Sequence, residues 1–276
     1  MSVSHFSAGT TGLHALGMDG IERETLDRWI EGLVNHDQVS SRGLVLFTGR
    51  MREGKTVSLY NTINLLQDKE IEIASIEDPI EMDMPGLQQM GVQDLPGYRF
   101  GDRFNHGALY GGLDALMIGE VTSEEIASAA LLFATNAGIV FTTITAADAN
   151  NGFARFCDLA GEQPGNTPVL VVSQVMFRLL CRHCRENFVP ESADQLLIES
   201  LCDDVGELTE FKWCKPVGCE ICGDGYQGRR AAFAVYENDG QNLHRVGRTI
   251  GENLLRNAAK GRLGFVEMRR VLPPEY

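Results

Sequence analysis

Three observations predict an α/β fold, a doubly wound and mostly parallel P-loop sheet that carries a small cysteine-rich module and a helical C-terminal tail. Short apolar runs bounded by glycines alternate with helix-patterned segments, the signature of a parallel sheet covered on both faces. A G-x-x-x-x-G-K-[ST] motif stands at the first strand–helix junction. Two C-x-x-C pairs follow in the second half, with 34 residues between them.

Taken in order, residues 19–34 place Ile21, Leu26, Trp29, Ile30 and Leu33 at helical spacing after a loose N-terminal stretch. The run from Gly43 to Gly49, Gly-Leu-Val-Leu-Phe-Thr-Gly, reads as a buried strand, and Val57–Leu66 as the helix after it. Glu70–Ile76 alternates around Ile71 and Ile73 and ends in Glu77-Asp78-Pro79. Leu113–Ile118 is a further buried strand, Glu124 to Thr135 an alanine-rich helix, and Ile139–Ile144 a third strand. The tail from 248 to 271 is helical, and Pro273-Pro274 closes it. These patterns divide the chain into a P-loop nucleotide-binding domain (1–175), a tetracysteine module (176–236) and a helical C-terminal segment (237–276).

With 276 residues, 43% of them hydrophobic, the chain can bury a sizeable core. A net charge of −14 disfavours nonspecific binding to nucleic acid or anionic membranes, so no nucleic-acid partner is expected. The most apolar stretches, Ala129–Ile144 and Val169–Cys181, are broken by Asn136 and Gly138, and by Gln174 and Arg178. A bilayer span needs about 20 apolar residues, so both read as core elements. No basic head followed by an apolar run opens the chain. A cytoplasmic protein that meets membranes only through partners is expected.

The segment Gly49-Arg-Met-Arg-Glu-Gly54-Lys55-Thr56 lies between a strand and a helix, where its chemistry requires it. Backbone N–H groups and the helix N-terminus hold phosphates, the lysine reaches β/γ oxygens, and the hydroxyl ligates Mg²⁺. Gly49, Gly54, Lys55 and Thr56 are therefore the candidate ATP and Mg²⁺ binders. Cys181, Cys184, Cys219 and Cys222 read as one Zn²⁺ site, since two short knuckles can each offer two thiolates to a tetrahedral ion. Unrelated buried thiols are the alternative. Cys214 or His183 could replace a ligand, whereas Cys157 and Cys202 lack ligand spacing and read as packed thiols.

The ordered series resembles the type II secretion and type IV pilus assembly ATPases. It comprises the Gly43–Thr56 segment, Ser75-Ile-Glu77-Asp78-Pro79-Ile-Glu81, Leu116-Met-Ile-Gly119-Glu120, Thr142-Thr-Ile-Thr145-Ala-Ala-Asp148-Ala, the paired cysteines, and Gly225-Tyr-Gln-Gly-Arg229. In that family these correspond to Walker A, an acidic "Asp box", Walker B, a "His box" and the tetracysteine module, on a RecA-like fold. The likeness runs from about residue 15 to the tail, where Gly261, Glu267 and Arg270 match. It implies that Lys55 binds phosphate, Thr56 ligates Mg²⁺, Glu120 positions the metal or the attacking water, and Glu77 polarises that water. Asp78 and Glu81, either side of Pro79, read equally as turn residues. The resemblance also implies a hexameric ring and inner-membrane platform proteins as partners.

Departures accompany these matches. Arg52 and Glu53 replace the family's Gly and Ser. A carboxylate about 5 Å from a phosphate at an effective dielectric near 20 would cost roughly 3 kcal/mol. Thr145 replaces the His-box histidine, and Thr122 the arginine after Walker B. His106 and Tyr110 stand at usual arginine positions, while Arg103, Arg155 and Arg229 remain. Phosphoryl transfer relies on cations around the γ-phosphoryl, so these losses affect hydrolysis more than binding. Family members usually carry an N-terminal domain, and only a short stretch precedes the motifs here, as expected of a fragment or of a protein working without that domain. Two functional readings follow: an ATPase powering pilin or pseudopilin assembly, and a degenerate ATPase or structural subunit of the same machinery. A zinc-ribbon binding module with a vestigial P-loop is a third.

Overall fold

The computed structural model describes residues 12–34, 42–67, 69–92, 104, 112–201, 211–240 and 242–272. Arg103, His106, Tyr110, Cys202 and the Pro273-Pro274 stop lie outside the described residues. At the centre is the strand β1 (Gly43–Gly49), buried along its whole length. It pairs in parallel with β5 (Ile139–Thr145) on one side and β6 (Val169–Leu180) on the other. The sheet continues past β5 through β4 (Ala115–Ile118), β2 (Ile73–Glu77) and β3 (Gln88–Gly91), all parallel. Beyond β6 it turns antiparallel, through β9 (Tyr226–Asn238) and β10 (Leu243–Val246). The strand order is β10-β9-β6-β1-β5-β4-β2-β3.

Alternation along β1 shows why both faces are covered. Val45 and Phe47 join one core cluster and Leu44 and Leu46 the other, as a period of two requires. Leu26 and Ile30 of α2 (Ile21–Val34) and Leu59 and Ile63 of α3 (Lys55–Asn64) pack on the first face, with the short α1 (Leu13–Leu16). Phe133 of α4 (Glu124–Asn136) and Phe156 of α5 (Ala149–Ala160) fill the second. Ser123 caps α4 by accepting the Ile126 N–H, and Asp148 caps α5 by accepting that of Asn151. The sequence pattern had not separated α5 from its surroundings.

The C-terminal helices α7 (Ile250–Ala259) and α8 (Phe265–Val271) close a third cluster over the long β6–β9 ladder, with Phe177, Leu254 and Met268 at its centre. A capping box between Thr249 and Glu252 starts α7. The small antiparallel β7–β8 pair (Glu186–Asn187 with Cys214–Lys215) and α6 (Ser192–Leu201), which lies between them in the chain, stand beside it, joined through Trp213 packed on Phe265. The boundaries expected at 176 and 236 both fall inside strands of the main sheet, β6 and β9. Among the described residues, no helix is long and apolar enough to cross a membrane.

Candidate nucleotide site and cysteine cluster

The turn after β1 packs directly on β6, and that contact explains both motif glycines. A Cβ at Gly49 would lie 2.6 Å from the carbonyl oxygen of Gln174. Gly54 adopts φ +77°, and a Cβ there would meet the Met176 methyl at 2.5 Å. α3 begins at once with Lys55, so its N-terminal N–H groups open toward the turn. Gln174 donates to the Glu53 carbonyl at 2.5 Å, and the Met176 N–H donates to the Glu53 carboxylate. That carboxylate is therefore held against β6 by a backbone donor. Burial pushes its pKa up, against the Met176 N–H and the charges of Arg50, Arg270 and Lys55. Arg52 carries φ +67°, a left-handed conformation that costs a non-glycine residue about 1–2 kcal/mol.

At the C-terminal edge of the strands, β1, β4 and β5 bring three predicted residues together. Lys55 Nζ donates to the Arg50 carbonyl at 3.2 Å and to Thr145 Oγ1 at 3.0 Å. Thr145 in turn donates to Glu120 Oε1 at 2.5 Å. Burial lowers the Lys55 pKa, and the Glu120 and Glu53 charges oppose that shift. Arg155 on α5 donates to the Thr145 carbonyl at 2.7 Å, which places a guanidinium at the rim.

Glu77 is placed differently from its neighbours. It is 3% exposed at the end of β2, and both its oxygens are occupied. Ser75 donates to Oε1 at 2.7 Å and Gln89 to the same oxygen at 3.0 Å, while the Tyr60 hydroxyl donates to Oε2. Tyr60 Oη also accepts the N–H groups of Glu81 and Met82, tying α3 to the turn after Pro79. Glu81 is exposed on that turn. Burial, then the Glu77 and Glu120 carboxylates, raise its pKa, so its charge shares a field with both. Sequence reasoning gave no role to Tyr60 or Gln89, and noted Gln174 only as a break in an apolar stretch.

The β6–β9 pairing assembles the cysteines. Cys181 follows β6 and Cys219–Cys222 precedes β9, and the Cys181 N–H donates to the Gly225 carbonyl at 2.8 Å. The four sulfurs of Cys181, Cys184, Cys219 and Cys222 lie within 4.8 Å of one another. A tetrahedral ion with bonds near 2.3 Å needs sulfurs about 3.8 Å apart. Cys184 to Cys222 is 3.5 Å and Cys219 to Cys222 is 3.6 Å, so the set fits a metal. Cys214 stays outside, donating to the Lys212 carbonyl at 3.4 Å, and His183 is exposed. Cys157 is a packed thiol among the residues of the second core cluster.

This arrangement defines a P-loop α/β protein with a cysteine module. Residues 7–266 match the family model "Type II/IV secretion system protein". The chain belongs to that family. It is 31% identical to the type IV pilus assembly ATPase PilB of Pseudomonas aeruginosa over 242 residues, covering 86% of this chain and 40% of that one. It is 29% identical to the pilus assembly ATPase PilB of Acinetobacter baylyi over 259 residues, 92% of this chain and 43% of that one. The chain thus spans about two fifths of the length of these relatives. In fold it is similar to the pilus retraction motor PilT with bound ADP, at TM-score 0.58 and 17% identity over 96% of this chain and 68% of that one.

Proposed function

We propose that this chain is the ATP-binding and hydrolysing core of a type II secretion or type IV pilus assembly motor. The Lys55–Thr145–Glu120 chain of hydrogen bonds beside the P-loop carries this reading, since it joins the Walker A, Walker B and His-box positions in one place. Gly49, Gly54, Lys55 and Thr56 would hold the nucleotide phosphates, with Thr56 and Glu120 toward Mg²⁺. Mg²⁺ would neutralise charge on the phosphoryl oxygens.

For water polarisation, the occupied oxygens of Glu77 favour Glu81 as the carboxylate that faces the reaction, with Glu77 as the anchor of its loop. Threonines at 122 and 145 leave the γ-phosphoryl short of cationic contacts. Slow turnover is expected of the chain alone. The relatives' roles support pilin or pseudopilin assembly as the work done. A hexameric ring, inner-membrane platform partners and a cytoplasmic position beneath that membrane belong to the same proposal.

The metal of the cysteine cluster is proposed to be Zn²⁺, which four thiolates suit best. Phosphate release from ATP, with and without Mg²⁺, tests the reading. Turnover that needs Mg²⁺ and vanishes in Lys55→Ala supports it, and release unaffected by that substitution refutes it.

A further inference from the structure

Arg52 and Glu53 are the two residues least expected in a Walker A turn. They line a separate cavity of about 420 Å³ on the β6 flank of the loop, walled also by Arg178, Arg229 and Arg270. None of Lys55, Thr56, Glu120 or Glu77 lines it. The volume lies within the range of small-molecule sites, about 300–1,000 Å³, and is far larger than a lone ion requires.

Two of these arginines are fixed from behind. Glu267, fully buried, accepts from the Arg178 N–H and guanidinium at 2.9–3.1 Å and from Arg270 at 2.7 and 2.9 Å. Arg178 also reaches Asp224 at 3.1 Å and lies 3.8 Å over the Tyr226 ring. Those contacts lock the guanidinium planes. Arg52 and Arg229 have no carboxylate partner among the described residues, and both are exposed on the cavity wall. Glu53, the one acid in the lining, has its carboxylate occupied by the Met176 N–H. Fixed guanidinium forks beside unpaired ones form an environment suited to phosphoryl oxygens, in a chain whose overall charge repels anions.

We propose that this cavity is a second phosphate-recognition site, taking a phosphorylated small molecule alongside a nucleotide on the P-loop. Arg52 and Arg229 supply the free guanidiniums, and Arg178 and Arg270 the fixed ones. The site accounts for Arg52 standing at a position whose backbone favours glycine. It does not depend on hydrolysis or on the motor reading.

Calorimetric titration with inorganic pyrophosphate tests it, with the full chain saturated by Mg·ADP and with Lys55→Ala without nucleotide. One pyrophosphate should bind in both settings. Arg229→Ala and Arg52→Gly should each weaken it at least about tenfold, the usual effect of losing one charged hydrogen bond. Both residues are exposed, and glycine relieves the left-handed strain at 52, so the fold survives either change. Absence of pyrophosphate binding in both settings overturns the proposal. So does equal binding by Arg229→Ala, or displacement by sodium chloride at matched ionic strength. Binding to Lys55→Ala but not to the ADP-saturated chain would make the cavity the nucleoside end of the P-loop site, which also overturns it. Failure of ADP to bind the wild-type chain would count against the motor reading alone.

Discussion

Lys55 Nζ donates to Thr145 Oγ1 across 3.0 Å, so the lysine of the Gly49–Thr56 turn meets a neutral hydroxyl at the position the sequence resemblance assigns to a histidine. That hydroxyl passes its own proton toward Glu120 at 2.5 Å. The Lys55 ammonium and the Glu120 carboxylate are thus joined through a side chain that cannot carry positive charge.

Replacing Thr145 by His should therefore raise turnover. One added hydrogen-bonding or cationic contact to a developing oxyanion is worth 10²–10³ at best, and about tenfold is expected for an unoptimised site. Steady-state phosphate release should show the gain in kcat with little change in KM. Equal or lower kcat in a folded Thr145→His variant would show that charge at this position does not limit the rate.

The two glutamates of the acidic turn should separate in the same assay. Glu81→Gln should cost about 10²–10³ in kcat, the scale of a lost general base. Glu77→Gln should cost less in rate and more in stability, because it disrupts a buried carboxylate that accepts from Tyr60, Ser75 and Gln89. Tyr60→Phe should resemble Glu77→Gln. The reverse ranking of Glu81 and Glu77 would return the water-polarising role to Glu77.

Arg52→Gly should stabilise the fold by about 1 kcal/mol, since the residue sits at φ +67° with an exposed side chain. The midpoint of urea unfolding should move up without a change in slope. A lower midpoint would mean that the Arg52 side chain contributes more than its backbone costs.

Glu267 couples stability to acid. Burial alone would raise its pKa, but hydrogen bonds from Arg270 and Arg178 outweigh burial and hold it at about 2, below the ordinary 4.5. The stabilisation is then complete above the unfolded value and disappears as pH falls from 4.5 through 2. Glu267→Gln should lose about 3 kcal/mol near neutral pH. The gap to wild type should narrow at about pH 3. A gap that stays constant across that range would show that the carboxylate's charge is not what stabilises.

Much of this was legible in the sequence, and the reasons differ by element. β1, β4 and β5 announce themselves because strands buried on both faces are nearly continuous runs of apolar and β-branched residues. The P-loop is legible because its motif spacing is local, although the contacts that require glycine at 49 and 54 come from β6. The cysteines are legible because two C-x-x-C pairs are recognisable by spacing alone. β3, Gln-Gln-Met-Gly at the sheet edge, has no such pattern. The β6–β9 ladder escaped because its pairing spans the whole cysteine module, which is why the module was bounded inside two strands of the sheet. The engagement of Glu77 depends on Tyr60 and Gln89, 17 and 12 residues away along the chain, and local spacing carries no sign of such contacts.

The cysteine cluster should purify with one zinc per chain when chelators are avoided. Cys219→Ser should lower the metal content and loosen the 181–225 region, seen as faster amide exchange there. Well under one zinc per chain in wild-type protein would contradict the assignment.

The central claim is that the Gly49–Thr56 turn holds a nucleotide, and equilibrium binding of a fluorescent ATP analogue with Mg²⁺ tests it most directly. The wild-type chain should bind saturably, with affinity reduced when Mg²⁺ is removed. Lys55→Ala should lose at least about tenfold, the scale of one charge-assisted contact to phosphate. Binding to Lys55→Ala as tight as to wild type would contradict the account.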